Sequence, residues 1–238
     1  MFFPTPDHNI NEIHGKTYLQ WATEAVVYAR TQCPLGAANN QLDILRAKQV
    51  KQQKELLAKT AEWQAATNIR TGAELATMPM TIKDVYHSAE KASEIRASNC
   101  VGLSCLAYQY LIENKITPIE MINFQDGNHM LILLGRNSQY PPVLSEETGL
   151  KIDACVICDP WANKVYRSDE FDRERYITSS QGAIGEIKKI SLEMRVDINT
   201  AKEMYVLKYV VPMFDYLEGL PRICLNQQAA QLQFRNDI

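Results

Sequence analysis

Asn99-Cys100-Val101-Gly102-Leu103-Ser104-Cys105-Leu106-Ala107-Tyr108-Gln109-Tyr110-Leu111 is the stretch on which the reading of this chain turns. Leu103, Leu106, Ala107, Tyr110 and Leu111 recur at i, i+3, i+4, i+7 and i+8, the spacing of a helix with one face on a core. Asn99-Cys100 opens that helix, and Pro118 forbids its extension. The pattern then shifts to short apolar runs. Ile119 to Phe124, His129 to Leu134, Ala154 to Cys158 and Lys164 to Tyr166 read as strands, punctuated by Gly127, Tyr140-Pro141-Pro142 and Asn163. Ile190 to Ile198 alternates with period two, as a half-buried strand does.

Upstream, the chain reads as helices. One starts at Thr17 with Leu19, Ala22, Val26 and Ala29 on a stripe, and Cys33-Pro34-Leu35-Gly36 ends it. A single long helix is expected from about Asn40 to Thr67, rich in Gln, Lys, Ala and Glu. Its stripe of Leu42, Leu45, Gln49, Leu56 and Trp63 is imperfect, which fits a partly solvated face or a docking face. Thr71-Gly72 breaks the pattern. Thr81 to Ala97 resumes it, with Ile82, Val85, Ala89, Ala92 and Ile95 in register and Thr81 with Asp84 as an N-cap pair. Asn199 or Thr200 caps a last helix to Pro212. The Gln- and Asn-rich tail Leu225 to Ile238 reads as a short helix or as the end of a truncated longer chain. Helices followed by antiparallel strands predict an α+β fold. The expected division is an N-terminal helical region, 1–97, on an α+β core, 98–238, the two forming one unit.

Composition removes several function classes. Hydrophobic residues are 46% and charged residues 22% of the 238, a globular rather than a disordered mixture. A net charge of -3 with no basic run argues against nucleic acid as a partner. No apolar stretch nears the roughly 18 residues of a membrane span. Met1 to Pro6 lacks the basic n-region and h-region of a secretory signal. The six cysteines are therefore expected to be reduced thiols. Cys155-x-x-Cys158 lies within a strand and has no second pair, which argues against zinc or dithiol redox chemistry. No glycine-rich phosphate loop or dinucleotide fingerprint occurs. No metal and no cofactor are expected. Ser168 to Arg175 reads as a solvated charged loop.

Three residues carry the chemistry. Cys100 opens a helix, where unpaired N–H groups and the helix dipole favour an anion. A thiolate is such an anion, and the same N–H groups can hold an oxyanion. The plainer reading is a small buried thiol at a helix start. His129 follows the turn-forming Asp126-Gly127-Asn128 and begins a buried strand, which would hold an imidazole rigidly enough to serve as base. His8, His14 and His87 lack such placement. Asp159 closes a strand ahead of Pro160-Trp161, where a carboxylate can orient an imidazole, although a turn-initiating Asp before Pro is common. The order is Cys, His, Asp at intervals of 29 and 30 residues, each at the end of an element.

Asn99-Cys100 opening a helix, Gly127-Asn128-His129 opening an apolar strand and Cys158-Asp159-Pro160-Trp161 closing another resemble the papain-like and transglutaminase-like thiol enzymes. The resemblance is to bacterial effector cysteine proteases and glutamine deamidases in particular, and it spans roughly Ser98 to Tyr166. It implies Cys100 as nucleophile, His129 as base and Asp159 as orienter, with Asn99, Asn128 and Trp161 lining the site. It also implies a soluble virulence enzyme that acts on a host protein and reaches it without a signal peptide. Papain-like proteases carry an oxyanion-hole Gln shortly before the nucleophile, whereas Ser93 to Asn99 contain none. Asn99, a backbone amide or the remote Gln32 remain as donors. The expected activity is deamidation or transamidation of a protein glutamine. Proteolysis is the alternative within the class, and an inactive binding module using the N-terminal helices is the alternative outside it.

Overall fold

α5 (Cys100–Glu113) begins where the Asn99 side chain accepts hydrogen bonds from the backbone N–H groups of Val101 (2.9 Å) and Gly102 (3.3 Å), closing the exposed end of the helix. It ends at Glu113, and Lys115 and Ile116 fold back through their N–H groups to Ile112 and Leu111 before Pro118 is reached. The computed structural model describes residues 15–47, 49–67, 80–124, 129–136, 143–145, 149–151, 155–171 and 190–196. The readings that rest on His8, His14, Thr71-Gly72, Asp126-Gly127-Asn128, Pro141-Pro142, residues 172–175, the helix after Asn199, Cys224 and the tail lie outside these residues. The chain divides into two units, Met1–Ile198 and Asn199–Ile238, and every described residue belongs to the first.

The architecture is α+β. Among the described residues, five helices precede a five-stranded antiparallel sheet. The helices are α1 (Tyr18–Gln32), α2 (Gln41–Arg46), α3 (Val50–Thr67), α4 (Ile82–Ile95) and α5. The strands are β1 (Ile119–Phe124), β2 (His129–Leu134), β3 (Val143–Ser145), β4 (Gly149–Lys151), β5 (Val156–Asp159), β6 (Lys164–Arg167) and β7 (Ile190–Val196). The sheet order is β6-β5-β2-β1-β7, and β3 with β4 forms a separate hairpin. β1, β2 and β5 are buried throughout, as central strands covered by helices should be, while β6 sits at an edge and is partly exposed. α5 contacts α1, α4, β1 and β2, and α1 reaches on to β5 and β6.

The helix starts follow their caps. Thr17 and Thr81 each form a capping box, with Gln20 and Asp84 respectively. The buried face of α1 is Tyr18, Trp21, Ala22, Ala25, Val26 and Ala29, so the expected stripe loses Leu19, which is exposed. The expected single helix from Asn40 to Thr67 is two helices. Asn40 caps α2 with its carboxamide, the helix stops at Arg46, and Gln53 of α3 donates its amide to the carbonyls of Ile44 (3.3 Å) and Ala47 (3.2 Å). That side chain satisfies carbonyls that a continuous helix would have used. Leu42 and Leu45 are consequently exposed, while Leu56 and Trp63 are buried.

Two packing features fix the frame. Gly102 lies under Trp63, and a methyl group there would come within 2.8 Å of the indole and 2.6 Å of Ser98. Glu120 is buried in β1, where the Arg136 guanidinium holds it through two bonds (2.5 and 2.8 Å) and Arg195 of β7 approaches at 3.3 Å. A buried carboxylate needs such partners. Among the described residues, no helix is long and apolar enough to cross a membrane.

Candidate active site

Cys100 is the first residue of α5, His129 the first of β2 and Asp159 the last of β5. α5 lies on β2, tied there by the Ser104 hydroxyl, which donates to the Met130 carbonyl at 2.9 Å. One helical turn before Ser104 is Cys100, so this bond sets the sulfur beside the start of β2. β2 pairs with β5 antiparallel, Ile132 opposite Cys158, which brings the end of β5 to the same place. Three element ends thus meet.

The side chains form one line. His129 Nε2 lies 3.1 Å from Asp159 Oδ2. Hydrogen bonding and charge also couple the imidazole to the Cys100 thiol. The other Asp159 oxygen accepts the Ala162 N–H at 2.9 Å, so the carboxylate is fixed by its own turn. That turn runs through Pro160 and Trp161 to Asn163, whose φ of 55° is left-handed, a conformation asparagine tolerates, and returns the chain into β6. The Trp161 ring covers the imidazole with centroids 4.8 Å apart, and Phe124 flanks it at 6.3 Å. Cys100, His129 and Asp159 are 3%, 1% and 0% exposed, so their charges interact in a largely water-free setting.

Burial alone would raise the Cys100 pKa. The hydrogen bond and charge of His129, then the Met130 N–H and the Asn39 amide, outweigh it and hold the thiol below its ordinary value. Burial alone would lower His129. The Asp159 charge and hydrogen bond, with the contribution of Cys100, push it up to about 10. Both directions favour a thiolate–imidazolium pair. The remaining described thiols behave oppositely where a shift is resolved. Burial pushes Cys33 and Cys105 up to about 12 and Cys158 higher still. Cys155 and Cys158 lie in or beside β5, and among the described residues no group of His, Cys, Asp and Glu is placed to hold a metal ion.

The other expected site residues fare differently. Trp161 lines the site. Asn99 sits beside it, but its carboxamide oxygen caps α5, so its fixed role is to start the helix. Asn128 lies outside the described residues. Gln32 accepts from the Ser93 hydroxyl at 2.8 Å and ties α1 to α4. The amide beside the sulfur belongs to a residue absent from the sequence reading: Asn39 Nδ2 donates toward Cys100 Sγ at 3.7 Å. Asn39 precedes the α2 cap by one residue, and its approach to a cysteine 61 positions away leaves no local mark in the sequence.

No protein-family model, no curated protein and no solved structure matches this chain. Fold and site define the class on their own: an α+β domain with buried Cys100, His129 and Asp159 at the junction of a helix and an antiparallel sheet.

Proposed function

We propose that this chain is a cysteine-dependent acyl-transfer enzyme acting on an amide carbonyl of a protein, with a core of the papain-like or transglutaminase-like kind. The observation that carries the reading is the meeting of three buried element ends, Cys100, His129 and Asp159, with His129 Nε2 3.1 Å from Asp159 Oδ2 and the imidazole coupled to the thiol. In the first half-reaction the Cys100 thiolate attacks the amide carbon, forming a C–S bond and an oxyanion. The Asn39 amide, which faces the sulfur, is placed to meet that charge, whereas the N–H groups of Val101 and Gly102 are taken by the Asn99 cap. The intermediate collapses, the C–N bond breaks, and the His129 imidazolium gives its proton to the departing nitrogen, leaving a thioester. His129, now neutral, takes a proton from water or an incoming amine. That nucleophile forms a bond to the carbonyl carbon, the C–S bond breaks, and the thiolate returns. Asp159 keeps the imidazole oriented and stabilises its charged form.

Glutamine deamidation or transamidation is the favoured outcome, and proteolysis the other. A protein substrate is supported by the surface beside the site. Leu42 and Leu45 of α2 and Val50 and Leu57 of α3 are exposed, and α2 begins two residues after Asn39. The same surface favours a second reading, a binding module in which the thiol is idle. The reading as an effector delivered to a host cell rests on the motif resemblance and belongs to this proposal.

Intact-mass measurement of candidate proteins incubated with the chain tests it. By the mass balance of amide acyl transfer, a gain of about 1 Da marks deamidation, a loss of about 17 Da marks cross-linking, and fragments mark proteolysis. Each change is expected to vanish with Cys100→Ala. Changes that persist in Cys100→Ala would refute the role of the thiol. Binding that survives Cys100→Ala and is lost on Leu42→Asp with Leu45→Asp, with no mass change in the bound partner, would establish the binding module instead.

A further inference from the structure

The two segments that frame the candidate site are held by one side chain that touches none of its reacting atoms. Arg30, near the end of α1, donates through Nε to the Pro160 carbonyl at 2.6 Å and through Nη2 to the Trp161 carbonyl. Its Nη1 donates to Asp43 Oδ2 at 2.6 Å. Asp43 Oδ2 in turn accepts the Ala37 N–H at 2.9 Å. Asn40 joins the same knot, donating its amide to the Trp161 carbonyl at 2.6 Å while its oxygen caps α2. Gly36, at φ +86°, admits the Asp43 carboxylate against its backbone, where a methyl group would lie 2.5 Å from the acid.

One guanidinium therefore spans two pieces of chain. The turn from Asp159 to Ala162 carries the carboxylate partner of His129 and the indole above it. The segment from Gly36 to Asp43 carries Asn39, whose amide faces the sulfur. The two are also linked by Trp161 Nε1 to Asn39 Oδ1 at 3.0 Å, and that link forms only while both stay in place. The fork of arginine suits the task, because its three nitrogens reach three separate acceptors and its charge faces the largely buried Asp43. A lysine has one nitrogen and cannot span them.

We infer that Arg30 is a positioning residue for acyl transfer, setting the placement of Asp159, Trp161 and Asn39 around the thiol from a distance. This rests on the catalytic reading above, because positioning has meaning only if Cys100 reacts.

The test is the pH profile of Cys100 alkylation by iodoacetamide in the full chain, read by peptide mass, with thermal unfolding recorded for each variant. Arg30→Met is expected to slow Cys100 alkylation at neutral pH by about 10-fold or more and to move the acid limb of the profile upward, since misplacement of a reacting group by even 1 Å is costly. Arg30→Lys is expected to recover only a minor part of the loss. Val85→Ala, a cavity in α4 away from this knot, is expected to lower stability while leaving the profile in place. Should Arg30→Met not fold, Arg30→Lys and Asn40→Ala, each removing a subset of these bonds, are expected to show intermediate loss. A wild-type profile in the folded variants, with Cys100 of the parent activated, would overturn the positioning role and leave the catalytic reading standing. A parent Cys100 no more reactive than an ordinary thiol would overturn both.

Discussion

Trp161 Nε1 donates to Asn39 Oδ1 at 3.0 Å, and that bond decides which end of the Asn39 carboxamide faces the Cys100 sulfur. With its oxygen held by the indole, the amide turns its N–H groups toward the thiol, where they can meet a negative charge on sulfur or on an adjacent oxyanion. Asn39→Ala is expected to lower kcat by about 100-fold, the scale for removing one oxyanion donor. Trp161→Phe keeps a ring over His129 but frees the amide to rotate, and a smaller loss in the same direction is expected. Single-turnover rates on a substrate identified by intact mass provide the check. Equal rates in Asn39→Ala and the parent would remove Asn39 from the chemistry.

The thiolate–imidazolium pair sets a pH window for reactivity. Cys100 is held below the ordinary thiol value, so the thiolate grows in as pH rises through that lowered point. His129 keeps its proton up to about 10, so the general acid is lost only in the alkaline range. A bell with a broad neutral plateau is expected for turnover, its alkaline limb near 10. Asp159→Asn removes the charge that raises His129, and the alkaline limb is expected to move down. An unmoved limb in that variant would separate Asp159 from His129 energetically.

Stability should fall in alkali through the other thiols. Cys33 and Cys105 are raised to about 12 and Cys158 further, against about 8.5 for an unfolded thiol. A raised folded-state value contributes stability that is complete below the unfolded pKa and is lost as pH climbs through the folded one. His129 acts in the same sense, its contribution complete below about 6.5 and lost through about 10. Urea midpoints are expected to drop between about pH 8 and pH 11, and the drop is expected to be smaller in Cys105→Ala, measured against its own value at neutral pH. An identical drop in the two would contradict the assignment.

Gly102 permits α3 to lie on the first turn of α5. Gly102→Ala would press a methyl group against Trp63 and Ser98, and a loss of about 1–3 kcal/mol is expected from such overpacking, read by urea unfolding. Because the turn also carries Cys100, its alkylation rate is expected to fall in the same variant. A neutral substitution would mean that the Trp63 contact is loose.

Much of this was legible in local pattern. The starts of α1 at Thr17 and α4 at Thr81 carry their capping residues in the sequence, and the runs from Ile119 to Phe124 and from His129 to Leu134 are β1 and β2 to the residue. Cys100, His129 and Asp159 could be nominated because each ends an element, and ends are where chains from different parts of a fold meet. What stayed hidden depends on tertiary bonds. The break between α2 and α3 comes with the Gln53 amide on the carbonyls of Ile44 and Ala47, against strong helix propensity on both sides. The β3–β4 hairpin is only three residues on each side, too short for a periodic signal. Asn39 and Arg30 act through partners 61 and 130 or more positions away, and nothing in their neighbours announces it.

Protonation of the His129 ring reports most directly on an ion pair between sulfur and imidazole braced by a carboxylate. With ¹⁵N-labelled histidine, the spectrum at about pH 8 is expected to show both ring nitrogens of His129 protonated, and Cys100→Ala is expected to lower the pH at which that proton is lost. A neutral His129 ring at that pH, titrating near the ordinary histidine value and indifferent to Cys100→Ala, would contradict the account.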